Sequence, residues 1–137
     1  MKSFTRMFAA LLLVLAPLAA PVLAQGFPAK PIRIVIPFPP VGGTEVVARS
    51  LGDQMSKTFG QPVVVENRPG GNSVIASEIV AKAAPDGHTL LMTTDFHAIN
   101  AAFGILLPYD SLKDFAFVAQ LTTSPLMLVA HPSTGAK

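Results

Sequence analysis

Residues 32–36 read Ile-Arg-Ile-Val-Ile, a β-branched run that is nearly continuous in apolar character. Such a run predicts a strand covered on both faces, as in parallel sheets. From Thr44 the period changes. Val47, Ala48, Leu51, Met55 and Phe59 recur at the spacing of one helical face, and Gly60 fits the C-terminal stop. Gly52 falls inside this helix, where it either weakens the segment or lets a neighbour pack closely. Pro62–Glu66 predicts a second strand, and Asn67–Gly71 a loop. Asn72 or Ser73 is placed to cap a second helix running to Ala84, with Ile75, Ile79, Val80 and Ala83 inward. Pro85-Asp86-Gly87 is a stop and turn, and His88–Thr93 a third strand. Strands alternating with helices predict an α/β fold with a parallel βαβαβ sheet and right-handed crossovers. Beyond Thr94 the pattern loosens to a short helix within Phe96–Leu107, a turn at Pro108-Tyr109-Asp110, and two extended segments, Phe115–Leu121 and Leu126–His131.

The first residues follow another rule. Lys2 and Arg6 precede an apolar run from Phe8 to Leu15, which Pro17 and Pro21 break before Val22-Leu23-Ala24. This reads as a secretory signal peptide, residues 1–24, cleaved after Ala24. The apolar run is too short and too proline-broken to span a bilayer as a stable helix. Export is therefore expected, and it changes the charge argument. The whole sequence carries a formal net charge of +2 from ten basic and eight acidic residues. Both Lys2 and Arg6 leave with the leader, while every acidic residue follows it, so the mature chain is balanced. With no basic cluster and no interleaved aromatics, nucleic acid is not an expected partner. The chain has no cysteine, which excludes disulfides, thiolate metal sites and cysteine nucleophiles. His88, His97 and His131 show no metal-ligand spacing. No cofactor is expected, and the remaining length suits one small domain, expected to be a monomer.

Ligands of open α/β sheets sit outside the carboxyl ends of the strands. Three loops should gather there: Pro37–Thr44, Asn67–Ser73 and Thr93–His97. The first has a specific capacity. Early helix amides have no internal partner, and the helix dipole places partial positive charge beside them. Gly42 and Gly43 carry no side chains to block approach, so their N–H groups, with the Thr44 amide and hydroxyl, can meet an anion. Pro39 and Pro40 stiffen the entry. A plainer alternative makes the glycines a turn and Thr44 a helix cap. The stretch matches neither GxxxxGK[ST] nor GxGxxG, so a nucleotide site is poorly supported. Glu45 favours the helix start but would repel a second anion nearby. Thr93, Thr94 and Asp95 follow the third strand, where ligand contact and polar loop filling are equal alternatives. His97 is placed to donate to a carboxylate or to make a structural hydrogen bond. Arg68 is expected to pair with Glu66. No GxSxG elbow, paired-carboxylate signature or HExxH is present, so no enzyme is supported.

The leader, then KPIRIVIPFPPVGGTEVVAR, QPVVVENRPGG, AKAAPDGHTLLMTT, HAIN, LPYD and KDF, in this order and spacing, resemble the Bug-type solute receptors of tripartite tricarboxylate transporters. The resemblance runs from about Pro28 to Pro132. It implies a periplasmic receptor that catalyses nothing, with a periplasmic binding protein-like (type II) fold of two α/β lobes. A small organic carboxylate would bind in the cleft between them and pass to the transporter's membrane permease subunits. Carried onto this sequence, Phe38, Gly42, Gly43 and Thr44 would form the first ligand loop, and Thr93, Thr94 and His97 would border the same pocket. Family members usually have glycine where Val41 stands, aspartate where Glu45 stands and asparagine where Val74 stands. They also continue for more than as much chain again. Residues 25–125 are thus expected to form the first lobe and 126–137 to start the crossover to a second, making this a truncated form that binds weakly or not at all. The alternatives are an exported α/β hydrolase or transferase fragment, for which no converging nucleophile and base can be named, and an inactive truncated product.

Overall fold

The structure, a computed structural model, describes residues 26–125 and 127–135. The expected signal peptide lies outside the described residues. Three strands, β1 (Ile32–Ile36), β2 (Val63–Asn67) and β3 (Thr89–Leu91), form one parallel sheet in the order β2-β1-β3. Helix α1 (Gly43–Phe59) joins β1 to β2, and α2 (Val74–Ala81) joins β2 to β3. This is the βαβαβ unit that the alternation predicts. The register pairs Ile36 with Asn67 and Val35 with Leu91, so the carboxyl ends of all three strands share one edge.

The most apolar strand takes the central position. Ile32, Ile34, Val35 and Ile36 are buried. Ile34 and Ile36 cluster with Ala48 of α1 and Met92, and Phe38, Val47, Leu51, Met55, Val63, Val65 and Leu90 pack around them. Strand alternation puts Val35 on the opposite face, and α2 packs on β3 and β1. Burying each of these isoleucines contributes about 1.5–3 kcal/mol. Arg33, the polar member of β1, places its guanidinium 3.2 Å from the Glu66 carboxylate on β2.

Helix α1 ends where expected. Gly60 is left-handed (φ 66°) and its N–H donates to the Ser56 carbonyl at 3.0 Å, a geometry that favours glycine. At Gly52 the backbone lies against β2: a Cβ there would stand 3.4 Å from Val63 Cγ1 and 3.7 Å from Val65 Cγ2. Close packing is therefore the role this glycine serves.

Several expectations need correction. Helix α2 is shorter than expected, and a 3-10 turn, Gly71–Ser73, precedes it. Ser73 occupies the N-cap position with φ 77° and makes no capping hydrogen bond through its side chain; Asn72 is also left-handed, at φ 50°. This irregular start rotates the helix. Ala76 and Ser77 are its buried residues, and Ile75 is 46 % exposed. Ile75 instead folds back over Gly70, where its Cδ1 occupies the space a β-carbon would fill. A short helix, α3 (Phe96–Ala102), follows β3 as expected. The two extended segments form no strand among their described residues, and Leu126 lies outside the description. Pro132–Thr134 make a single 3-10 turn.

Candidate functional site

Hydrogen bonds tie together the three loops at the carboxyl edge of the sheet. Asn67 Nδ2 donates to the Phe38 carbonyl at 3.0 Å, and the Arg68 N–H donates to the Ile36 carbonyl at 2.7 Å. These bonds join the second loop to the first. Asn100 on α3 is buried and donates through Nδ2 to the Asn72 carbonyl at 2.6 Å, joining the third region to the second. The Phe38 and Phe96 rings lie 6.4 Å apart.

The first loop enters α1 through Gly42, the N-cap, in extended backbone (φ −139°). Its carbonyl accepts the Glu45 N–H at 3.0 Å and the Val46 N–H at 3.2 Å. The N–H groups of Gly42, Gly43 and Thr44 have no acceptor among the described residues. Gly42 and Gly43 are exposed and Thr44 is half-buried. Thr44 is the second helical residue and α1 has no side-chain cap, so the alternative that made Thr44 the helix cap is corrected. The lone pairs of a carboxylate match donors placed in this way.

Glu45 sits directly beneath this turn and is buried. Its Oε2 accepts the Val41 N–H at 2.5 Å, while Oε1 accepts Arg49 Nε at 2.7 Å and Nη2 at 2.5 Å. The Arg49 guanidinium, and then the Val41 amide, hold the Glu45 carboxyl below its ordinary range. The acid therefore remains ionised, and its charge is balanced locally. Val41 itself has φ 75° and a side chain in open solvent.

The other candidate residues are placed unevenly. Phe38 packs against the core, and its carbonyl is held by Asn67. Thr93 has a buried hydroxyl with no partner among the described residues, and Thr94 is exposed. His97 is buried, its Nε2 lies 3.0 Å from the Ser111 carbonyl, and its ring stacks parallel to Tyr109 with Phe115 edge-on at 4.8 Å. Because a carbonyl only accepts, Nε2 is the donor. Asp95 is exposed and makes no side-chain cap to α3. Arg68 donates through Nε to Glu66 at 2.6 Å, the surface pair expected. Among the described residues, no three of His, Asp or Glu cluster as metal ligands. Sequence reasoning missed Asn67, Asn100 and the Glu45–Arg49 pair. The i,i+4 spacing of the last was a readable signal, whereas the two asparagines acquire meaning only once the loops are brought together.

Comparison with known proteins bears on this arrangement. Residues 47–137 match the family described as the tripartite tricarboxylate transporter family receptor. The chain is 41 % identical over 119 residues to protein BugT of Bordetella pertussis, a match covering 85 % of this chain and 36 % of the relative. Among solved structures, MatC from Rhodopseudomonas palustris, with bound malate, superposes with a TM-score of 0.60 at 41 % identity, over 65 % of this chain and 31 % of that one. A second protein from that organism, solved with adipate, gives a TM-score of 0.51 at 34 % identity, over 52 % and 24 % of the two chains. The chain thus spans roughly a third of the length of the curated relatives it matches. A parallel βαβαβ lobe that opens its first helix with exposed amides, together with these matches, leads to one conclusion: the chain belongs to the receptor family of tripartite tricarboxylate transporters.

Proposed function

We infer that this chain serves as part of a periplasmic receptor that takes up a small organic carboxylate and presents it to membrane permease subunits of a tripartite transporter. Residues 25–125 would form the α/β lobe that carries the ligand loops. The observation that carries this reading is the set of N–H groups at Gly42, Gly43 and Thr44 with no acceptor among the described residues, in the loop that follows β1. The malate bound to MatC and the adipate on the second solved relative support a dicarboxylate as ligand. One carboxylate would dock on the three amides, where donor groups and helix dipole act together. Phe38, Thr93 and Thr94 are carried over from the family resemblance as candidate walls of that pocket. His97 is carried over to the same border by the resemblance alone; its Nε2 is bonded to the Ser111 carbonyl and its ring packs among Tyr109, Phe115 and Phe117.

The test is a titration of the isotopically labelled 137-residue chain with malate and adipate, followed through backbone amide resonances. The expected result is a saturable shift of the Gly42, Gly43 and Thr44 amides. Shifts confined to other parts of the chain would overturn the reading.

A further inference from the structure

Glu45 stands where electrostatics would least favour an acid if the ligand is an anion, because it is the acidic residue of the opening turn of α1. The geometry resolves the conflict. Both carboxylate oxygens are committed, Oε1 to the Arg49 guanidinium one turn along the helix and Oε2 to the Val41 N–H in the loop, and the residue is 7 % exposed. A helix-start glutamate ordinarily reaches back to the N–H of the N-cap. Here it reaches one residue further, to Val41, and the Gly42 amide has no acceptor among the described residues. Val41 lies at φ 75°, a conformation that a β-branched residue keeps only when its surroundings impose it. Packing of its side chain does not impose it, because that side chain is 98 % exposed. The contact recorded at this corner is the bond from the Val41 N–H to Glu45.

Resting on the receptor reading above, we propose that the Glu45–Arg49 pair is a positioning clamp for the ligand loop. Glu45 fixes the Val41 corner so that the next three amides remain available. Arg49 cancels the charge of Glu45, so an incoming carboxylate meets a loop without net negative charge. Both are positioning residues, and neither touches the ligand.

The test has two arms, both on the 137-residue chain. Without ligand, the Val41 amide proton resonates far downfield, as expected for an N–H donating to an ionised acceptor. E45Q and R49Q each move it upfield and broaden the Gly42 and Gly43 resonances. If the three signals are unchanged in both variants, the clamp is overturned, whatever malate does. In the second arm, R49Q weakens malate binding about tenfold. The double variant E45Q/R49Q recovers part of this loss, since both charges are gone. R49Q binding as tightly as the parent, or the double variant binding no better than R49Q, overturns the charge-balancing role. Ile34 and Val35 amides report folding. Should R49Q disturb them, R49K decides: it keeps the charge and loses the two-donor grip, so it shifts the Val41 signal while holding affinity nearer the parent, and an unmoved Val41 signal overturns the clamp. A parent chain whose Gly42–Thr44 amides ignore malate removes carboxylate docking on this lobe alone, and the ligand-free arm still decides the clamp.

Discussion

Val41 shows how much a single backbone angle carries. Its left-handed conformation strains a β-branched residue by about 1–3 kcal/mol, and its exposed side chain recovers nothing by packing. V41G removes that strain and adds about 0.4–1 kcal/mol of unfolded-chain entropy. The expected net effect is a gain of about 1 kcal/mol, read from the urea midpoint; a fall in the midpoint would show that Val41 is not strained. At the other end of the sheet, Asp86 accepts Lys30 Nζ at 2.8 Å and the His88 N–H at 3.0 Å. The lysine, and then the backbone donor, hold its carboxyl well below the ordinary range. A depressed folded-state pKa stabilises the fold above the ordinary carboxylate value, about 3.9. That contribution is lost as pH falls through the lower folded-state value. Solvent screens the pair, so the effect is small and salt-sensitive. Urea titrations from pH 5 to pH 2 should show a shallower loss of stability in D86N than in the parent. Equal slopes would mean that the pair contributes nothing.

Elements whose periodicity agrees with their packing were legible in the sequence. Strand β1 and helix α1 belong to this group, because a continuous β-branched run has only a doubly covered position to occupy, and because Gly60 marks the end of α1. Helix α2 was legible in existence but not in rotation. Its phase is set by the left-handed Asn72 and Ser73 and by Ile75 closing over Gly70, and no helical period encodes such a start. The site divides in the same way. The exposed glycine amides follow from the sequence, since the first turn of any helix leaves them unpaired. The asparagine bridges did not, since they join residues 28 and 29 positions apart. Gly52 now offers a prediction at the level of helix–sheet packing. A methyl group there meets Val63 at ordinary contact distance, so G52A should stabilise α1 by about 1 kcal/mol through helix propensity. G52L should lose about 1–3 kcal/mol by overpacking. Thermal unfolding distinguishes the two variants, and a destabilised G52A would show that β2 cannot give way.

At the scale of the whole molecule, the sheet buries a small core while the later part of the chain shows much apolar surface. Phe103, Leu106, Phe117, Val118, Met127, Leu128 and Val129 are all exposed. Exposed apolar side chains in such number attract hydrophobic probes and other copies. The mature chain, residues 25–137, should therefore enhance the fluorescence of a hydrophobic dye, and M127S/L128S should reduce that signal without altering the circular dichroism of the sheet. An unchanged signal would place the dye elsewhere. The two asparagine bridges have a separate consequence for motion. Because Asn67 holds Phe38 and Asn100 holds Asn72, opening one segment at the strand ends must break a half-buried bond to the next. Deuterium uptake along 38–44, 67–73 and 95–100 should then follow one shared opening event, a single cooperative unit at the strand ends.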